Sequence, residues 1–481
     1  MICYFFHIVR GWTIIHKHAT ILFCLALIAQ LMLLTGLMAV NGVGRSVFLN
    51  SSEGDAEEHL LITERLLAHG GFYSGEITVP FGPLETIRMP IYPMIAAAFL
   101  FITGGSYAGA IFLQQIFGVV AILILYYLMK RLVGERAAFI GSLIAVFDLQ
   151  RLFLMAGFST ESVFFIFLFG GMLVAVYAIQ QAADFSKNKK YAYMAMAATG
   201  VLFALAGLTR YFAYFLGLLT GLYFAFFFLF YIVKRRIHLF FAAKLLMVFF
   251  VAFFVIIAPW SIRSKVHFDT WRISASGQWN LYNRNLIRLY EYRDGYRGKS
   301  HQSINDMLEA KFFADTGADP TRPFKEYYLR DYAYGPYLYK EANKTIRENF
   351  GLYIKVALWR LIPFAADSSA HAVVGYVDAY LFPIYPSLNQ YGIQAYPHIF
   401  WGTRFIWIAL YAFVLFVVVL KRKLFQQHLF PYLYLSLLAL LTAYGGEWSF
   451  GSRHKLPFVM MFYAIIAYCV IALRRKESPP A

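Results

Sequence analysis

The sequence predicts an all-α polytopic membrane protein with about ten transmembrane helices. Of its 481 residues, 60% are hydrophobic and only 14% are charged, whereas a soluble protein of this size carries about 25% charged residues. Apolar runs of about twenty residues recur along the chain, and each is long enough to cross a bilayer. Basic residues cluster in the short segments between these runs, as they do in multi-pass membrane proteins.

The formal net charge of +17 does not predict a nucleic-acid partner. Seventeen Lys and Arg and only three acids lie in short segments that flank apolar runs. Basic clusters in such positions determine membrane topology rather than forming a nucleic-acid surface. The segments are 1–18, 130–136, 181–190, 234–236, 421–423 and 474–477.

The positive-inside rule places these basic clusters and both termini in the cytoplasm, and the loop 42–90, with seven acids and three bases, outside. Residues 19–40 are too long for a signal-peptide core and lack a clear cleavage site, so we interpret them as a retained first span. The predicted spans are 19–41, 106–129, 137–157, 161–180, 191–209, 211–233, 239–258, 399–420, 429–445 and 457–473.

Two further apolar stretches do not fit as spans. Counting "PIYPMIAAAFLFIT" (90–103) as a span would place every later basic cluster outside, and its length of about 14 residues is typical of interfacial or re-entrant helices. We therefore expect it at the outer leaflet. The stretch "YIKVALWRLIPFAA" (353–366) carries Lys355 and Arg360, and we expect it to be interfacial as well.

The spans divide the chain into three predicted domains. Residues 1–258 form a seven-span catalytic module that includes the outer loop 42–105. Residues 259–398 form an extracytoplasmic segment, of which the polar, Tyr-rich part 259–350 is expected to fold. Residues 399–481 form a C-terminal three-span bundle.

Acidic residues gather directly after the first predicted span. Glu53 precedes the segment 55–69, and Asp55 is its first residue. The apolar and charged residues of this segment alternate as in an amphipathic helix. Asp55 stands at the start of that helix, where it is either a helix cap or a carboxylate available for chemistry. Glu161 stands at the mouth of the fourth span, where a capping box with Ser159 or Thr160 is the alternative to a functional role.

Basic residues also lie on the predicted outer side, against the usual charge bias. For each of them a side chain that snorkels to the interface is the alternative explanation. As a set, they suit the binding of a lipid-linked phosphate at the membrane surface, with a nearby carboxylate as general base. They are Arg88, Arg210, Arg263, Arg453, His454 and Lys455.

Five short motifs occur in a characteristic order along the chain. They are Asp-x3-His followed by "ERLLAHGGF" within 55–72, "RMPIYP" (88–93), "STESVFF" (159–165), "APWSIR" (258–263) and "SRHKLP" (452–457). Their order and the predicted topology resemble membrane glycosyltransferases of the C-type fold, close to the protein O-mannosyltransferase and lipid A aminoarabinose transferase superfamily. The chain departs from that pattern at His59, where Tyr is common, and at Met89, where Pro is common.

The resemblance implies a glycosyltransferase that moves a sugar from a polyprenyl-phosphate donor to an acceptor hydroxyl, with inversion. Asp55 is then the catalytic general base and Glu161 a second acid of the site, while the role of Glu53 stays open. The substrate-binding residues implied are Glu53, His59, Arg88, Tyr92, Arg210, Trp260, Arg263, Arg453, His454 and Lys455.

No cofactor is predicted with certainty, and a divalent cation is the alternative. Glu53, Asp55, His59 and Glu161 provide oxygen and nitrogen ligands, but ligands scattered in this way are a weak metal signal. The alternative to metal binding by Glu53 is that it only tunes the pKa of its neighbour Asp55.

Two other function classes remain open on the sequence alone. A lipid or sugar transporter or flippase would carry ionisable residues inside its spans, where Asp148 and Arg151 are the main candidates. A non-catalytic membrane scaffold would use its outer segment to bind a partner. The sequence does not identify the sugar or choose between a lipid, a glycan and a protein as acceptor, and we expect a bacterial plasma membrane as the location.

Overall fold

The computed structural model describes ten stretches of the chain. They are residues 17–42, 55–72, 84–181, 189–234, 237–293, 301–324, 328–366, 404–426, 429–445 and 452–474. In these stretches the chain is organised almost entirely as α-helices, which confirms the predicted all-α polytopic class.

Six of the described helices are long and apolar enough to cross a membrane. Each helix coincides with a long apolar run of the sequence. In hydrocarbon, a helix is favoured because it satisfies the backbone N–H and C=O groups with hydrogen bonds inside the segment. They are α1 (Lys17–Asn41), α4 (Tyr107–Val133), α7 (Glu161–Gln181), α9 (Phe212–Val233), α10 (Leu239–Phe268) and α18 (Ser452–Arg474).

The predicted span 137–157 is broken rather than continuous. Helices α5 (Glu135–Val146) and α6 (Leu149–Met155) together pass the test for a span, but they are bent by 58° at the break. The carboxylate of Asp148 accepts a hydrogen bond from the backbone N–H of Arg151 and so caps α6. This cap begins a new helix where an unbroken one was expected.

The three other predicted spans also correspond to apolar helices. They are α8 (Lys189–Gly207), α15 (Arg404–Leu420) and α17 (Leu429–Gly445). Helix α3 (Ile91–Ile102) has only 12 residues and is therefore about 18 Å long, too short for a hydrocarbon core of about 30 Å. Its length agrees with the interfacial or re-entrant position predicted for residues 90–103.

Glycines allow the closest helix contacts in the bundle. A Cβ built on Gly141 of α5 would lie 2.3 Å from backbone atoms of Ala464 in α18. A Cβ on Gly200 of α8 would lie 2.4 Å from the carbonyl oxygen of Phe249 in α10. Small residues at such crossings let helix backbones approach closely in membrane proteins.

The polar segment that follows α10 folds around a core of its own. Helix α10 runs through Pro259 and ends at Phe268, ten residues beyond the domain boundary predicted at 258. The polar domain (residues 276–353) then packs Tyr282, Phe312 and Leu338 into a separate buried cluster. Its helical elements are a three-residue α-helical turn (Ser276–Gln278), a π-helix (Trp279–Asn285), α11 (Leu286–Arg293), α12 (His301–Thr316), a 3₁₀ turn (Tyr332–Tyr334) and α13 (Gly335–Glu348). Helix α14 (Phe350–Ala366) begins in this domain and continues beyond it.

Helix α2 (Asp55–His69) confirms the amphipathic helix predicted at 55–69. Its apolar face contributes the buried Ala56 and Leu60 to a cluster with Leu34 of α1 and Val163 of α7. The helix is thereby held against the membrane bundle. A short helix α16 (Arg422–Gln426) completes the described elements.

Candidate active site

The candidate site lies where several helices begin or end at one end of the bundle. Residues close to the starts of α2, α3 and α7 share one buried cluster, represented by Ala56, Tyr92 and Val163. The backbone N–H of Ile91 at the start of α3 donates to the carbonyl of Leu208 at the end of α8. The segments that carry Asp55, Tyr92, Glu161 and Arg210 therefore meet in space, although they are far apart in sequence.

Glu161 and Arg210 form a buried ion pair at this end. The carboxylate of Glu161 is 1% exposed, and its Oε1 lies 2.7 Å from Nη1 of Arg210, whose side chain is 9% exposed. The guanidinium group lies near the rings of Phe164 and Phe212. An ion pair in apolar surroundings is costly to break, because removal of one partner leaves the other charge buried without compensation.

The capping box considered as the alternative role of Glu161 is replaced by other contacts. The Ser159 hydroxyl donates to the carbonyl of Leu154, and the Thr160 hydroxyl lies 3.4 Å from Oε2 of Glu161. The carboxylate thus uses one oxygen for Arg210, a residue that the sequence predicted separately but did not pair with it. Its position in the first turn of α7 also benefits from the helix dipole.

His59 and Tyr92 form a buried aromatic pair beside this ion pair. Their ring centroids are 5.1 Å apart and the rings are nearly perpendicular, at 77°, an edge-to-face arrangement that aromatic rings favour. The Tyr92 hydroxyl donates to Oε1 of Gln114 at 2.8 Å. His59 and Tyr92 are 5% and 1% exposed, so both predicted binding residues belong to the packed wall of the site.

Glu58 joins two arginines, and sequence reasoning missed it as a site residue. Its Oε2 lies 2.7 Å from Nε of Arg88 and its Oε1 lies 2.6 Å from Nη2 of Arg330. Burial raises the pKa of the Glu58 carboxyl, but the charges and hydrogen bonds of Arg88 and Arg330 outweigh burial and hold the pKa below its usual value of 4.5. The three side chains connect α2, the segment before α3 and the polar domain.

Arg263 and Trp260 hold the segment before α3 in place. The Arg263 guanidinium donates to the carbonyls of Glu85 at 3.0 Å and Phe72 at 3.4 Å, and it stacks 4.2 Å from the Trp260 ring. The Trp260 indole N–H donates to the carbonyl of Ile273 at 2.9 Å. Both predicted residues thus have contacts within the protein, and their contact with a substrate stays a prediction.

Glu85 fixes the backbone on which Arg88 is mounted. Its side chain is 2% exposed, and Oε1 accepts hydrogen bonds from the backbone N–H groups of Ile87 at 2.6 Å and Arg88 at 2.7 Å. Sequence reasoning did not single out this residue, because an acid in a loop gives no sign that it caps a turn. The turn presents Arg88 to Glu58.

Several predicted residues lie partly or wholly outside what the structure describes. Glu53 lies outside the described residues, and Asp55 is the first residue of α2 but its side chain is not among those described. Residues Arg453, His454 and Lys455 lie in the first turn of α18, and their side chains are likewise outside the described part. The roles of these five residues stay predictions.

The divalent cation considered from the sequence also stays a prediction. Within the described stretches, no three His, Cys, Asp or Glu side chains come close enough together to hold a metal ion. Two of the four proposed ligands, Glu53 and the Asp55 side chain, are outside those stretches. Of the remaining two, Glu161 is paired with Arg210 and His59 packs against Tyr92.

Comparison with protein families supports the resemblance inferred from the motifs. Residues 87–262 match the family described as dolichyl-phosphate-mannose-protein mannosyltransferase. The match contains Arg88, Tyr92, Glu161, Arg210 and Trp260, and it confirms the resemblance to the C-type membrane glycosyltransferases over this segment. No curated protein sequence matches the chain.

Comparison with solved structures finds two matches, each at 12% sequence identity. One is the archaeal oligosaccharyltransferase AglB from Archaeoglobus fulgidus in complex with an inhibitory peptide and a dolichol-phosphate, with a TM-score of 0.48 over 96% of this chain and 50% of that one. The other is ArnT from Cupriavidus metallidurans bound to undecaprenyl phosphate, with a TM-score of 0.37 over 96% of this chain and 78% of that one. The present chain thus spans about half the length of AglB.

Proposed function

We propose that this protein is an integral-membrane glycosyltransferase that uses a polyprenyl-phosphate-linked sugar as donor. The observation that carries the proposal is the gathering of paired charges at one end of a largely apolar bundle. Glu161 with Arg210 and Glu58 with Arg88 and Arg330 lie there, and most of them fall in the segment that matches the mannosyltransferase family. Ionisable groups buried inside a membrane bundle, as Glu161 and Arg210 are, are costly and usually functional.

A lipid-linked donor fits this location for a simple physical reason. Its prenyl tail dissolves in the bilayer, whereas its phosphate and sugar must remain at the membrane surface. The short apolar helix α3 and the amphipathic helix α2 lie at the candidate site and provide surfaces for the tail and the acceptor. The arginines and the basic residues 453–455 are suited to bind the phosphate and to stabilise it as a leaving group.

In the proposed reaction, Asp55 is the general base. It accepts the proton of an acceptor hydroxyl as the hydroxyl oxygen forms a bond to the anomeric carbon of the sugar. The bond between that carbon and the phosphate oxygen breaks, and the electron pair leaves with polyprenyl phosphate. Attack on the face opposite the phosphate inverts the anomeric configuration. In this proposal, Glu161 holds Arg210 in place as part of the same site.

We further propose that the reaction takes place on the extracytoplasmic side of a plasma membrane, with both termini in the cytoplasm. The support is the charge asymmetry of the sequence, because the basic clusters and the acidic loop 42–90 fall on opposite sides of the predicted spans. The acceptor is a hydroxyl of a lipid, a glycan or a protein.

A transporter is favoured less, because the ionisable residues inside the spans have structural partners. Asp148 caps α6 and accepts a hydrogen bond from the Tyr463 hydroxyl at 2.6 Å. Arg151, which is fully buried, donates to the carbonyls of Ala145 at 2.9 Å and Val146 at 2.6 Å. These contacts stabilise the break between α5 and α6 without a transported ion.

The proposal is tested by a transfer assay on the purified protein in nanodiscs. A panel of polyprenyl-phosphate sugars is supplied with mixed acceptors, and release of polyprenyl phosphate is followed for the wild type and for Asp55→Asn. We expect release by the wild type with one donor, and a decrease of about 10²–10⁴-fold in Asp55→Asn, the range typical of a lost general base. Asp269→Asn is the control, because the Asp269 side chain is 91% exposed and pairs only with the nearby Lys265 among its described contacts.

Three results would contradict parts of the proposal, and each can be distinguished from the others. Full activity of Asp55→Asn would remove Asp55 from the base position but leave the enzyme class intact. Donor that crosses the membrane of a sealed vesicle without cleavage would favour a transporter. Failure of every donor to bind or react would favour the scaffold.

A further inference from the structure

Helix α4 carries two neighbouring glutamines inside a 27-residue apolar span. Gln114 is 2% exposed and Gln115 is fully buried. A buried amide in surroundings without water costs free energy unless its donors and acceptor are hydrogen-bonded. The partners of each amide therefore indicate why a glutamine is retained there.

The Gln114 amide joins two other elements to α4. Its Oε1 accepts from the Tyr92 hydroxyl at 2.8 Å, and its Nε2 donates to the carbonyl of Gly157 at 2.7 Å and that of Met155 at 3.3 Å. The two carbonyls can only accept, so they fix which end of the amide faces Tyr92. Gln114 thus binds helix α3 on one side and the connection from α6 to α7 on the other.

Both partners lead directly to the candidate site. Tyr92 packs edge-to-face on His59 of α2, and Gly157 lies just before the segment that begins α7 with Glu161. The amide therefore couples the position of His59, through Tyr92, to the position of the Glu161–Arg210 pair. A fixed distance between groups on different helices is what a transfer reaction requires, because small misplacements lower its rate strongly.

Gln115 provides a matched comparison within the same helix. Its Nε2 donates to the carbonyl of Met155 at 3.0 Å, so it also ties α4 to the end of α6. The Tyr92 hydroxyl, however, is bonded to Gln114. The two residues have the same side chain and the same depth in the helix, but only Gln114 bonds the aromatic pair.

We propose that Gln114 is a positioning residue that acts through Tyr92 to hold His59 in register with the start of α7. The expected effect of Gln114 on catalysis rests on the proposed function. The expected effect of Gln114 on the position of His59 does not depend on activity. The variants are Gln114→Met and Gln115→Met, which preserve side-chain length without the amide, and Tyr92→Phe, which removes only the hydroxyl.

The kinetic test uses the donor identified in the transfer assay. We expect Gln114→Met and Tyr92→Phe each to lower kcat at least tenfold with KM for the donor within twofold of the wild type. Because both variants break the same hydrogen bond, the double variant should be no slower than the slower single variant. Gln115→Met should keep kcat within twofold, even where its melting temperature falls as far as that of Gln114→Met.

The spectroscopic test needs no turnover. Protein labelled with ¹³C at histidine Cε1 is examined by NMR, and the His59 resonance is identified by its loss in His59→Gln. We expect the resonance to shift in Gln114→Met and in Tyr92→Phe and to remain in place in Gln115→Met, because the ring current of Tyr92 acts on His59.

The two tests separate the possible failures. An unmoved His59 resonance in Gln114→Met, or rate effects of Gln114→Met and Tyr92→Phe that multiply, would overturn the positioning role. If the His59 resonance shifts in Gln114→Met and Tyr92→Phe while the wild-type protein transfers no sugar from any donor, the positioning role is supported and the proposed function is rejected.

Discussion

At the scale of single residues, the described charges at the candidate site occur in compensated groups. Glu161 has Arg210 as its partner, and Glu58 bridges Arg88 and Arg330. Charges that lie near a low-dielectric bundle interact more strongly than charges in water, so these pairs organise the site as well as stabilising it. The Glu58 group differs from the Glu161 pair because it is open to solvent on one side.

The Glu58 group predicts a pH dependence of stability. Its pKa is lower in the folded protein than the usual 4.5, so the stabilisation that it provides is complete above pH 4.5 and is lost as the pH falls through the folded-state pKa. We expect Glu58→Gln to lower the free energy of unfolding by about 1–2 kcal/mol at neutral pH. The difference between wild type and Glu58→Gln should shrink as the pH is lowered below 4.5.

Thermal unfolding in detergent micelles between pH 3 and pH 8, on the order of one measurement per pH unit, checks this dependence. The control is Glu57→Gln, a substitution at the exposed neighbour in the same helix, which should follow the wild-type curve. A constant difference between Glu58→Gln and wild type over the whole range would contradict the arginine pairing.

The residues of the site were predictable from the sequence to different degrees. Glu161 and Arg210 were both identified from their positions at the ends of predicted spans, because charge is unexpected there. Their pairing was not predicted, because it depends on how α7 packs beside the junction of α8 and α9. Glu58 was missed because its partner Arg330 is 272 residues away in sequence. Without that partner, the sequence of α2 shows Glu58 only as one residue of a polar helix face.

At the scale of elements, hydropathy predicted the helices well and their breaks poorly. The apolar runs predicted the positions of α1, α4, α7 and α9 to within a few residues. For α10 they predicted the start, whereas the helix ends ten residues beyond the predicted span 239–258. The break between α5 and α6 was missed because a hydropathy window averages over the Asp148 cap. The polar segment has a buried aromatic cluster, and no hydropathy pattern predicted which of its side chains would form it.

Close packing at glycine gives a prediction for helix α5. A methyl group on Gly141 would overlap the backbone of Ala464 in α18, whereas a methyl group on Gly36 of α1 would meet no atom within 4 Å. We expect Gly141→Ala to destabilise the protein by about 1–3 kcal/mol through overpacking. Gly36→Ala should be neutral or should stabilise it by about 0.5–1 kcal/mol, because alanine favours the helix.

The two alanine variants form a matched pair, since each adds one methyl group to a membrane-spanning helix. Melting temperatures measured in the same micelles check the difference between them. Equal melting temperatures for Gly141→Ala and Gly36→Ala would show that α5 and α18 do not approach as closely as the structure describes.

At the scale of the whole molecule, the two ends of the bundle have different chemistry. At the end opposite the candidate site, Glu135 of the basic segment 130–136 pairs with Lys130 of the same segment and with His18. At the site end, the Thr86 hydroxyl donates to the carbonyl of Arg330 in the polar domain at 2.7 Å. Ser274, just before the polar domain, donates to the carbonyl of Ile87 at 2.8 Å. The positive-inside rule assigns the first end to the cytoplasm.

Cysteine labelling tests this orientation. The native Cys3, Cys24 and Cys469 are replaced by alanine, and single cysteines are introduced by Thr321→Cys in the polar domain and by Lys189→Cys at the start of α8. Both positions are exposed in the structure. We expect a membrane-impermeant maleimide to label the Thr321→Cys protein in intact cells and the Lys189→Cys protein only after permeabilisation.

The orientation also decides which pool of donor the site can reach. If the labelling pattern were reversed, the paired charges around Glu161 and Glu58 would face the cytoplasm, and the lipid-linked sugar would have to be drawn from the inner leaflet. The expected pattern would place the polar domain, Arg330 included, on the outer side, and the site would then take its polyprenyl-phosphate sugar from the outer leaflet. Transfer by the wild type in cells would then depend on a separate supply of outward-facing donor, whereas transfer in nanodiscs, which are open on both faces, would not.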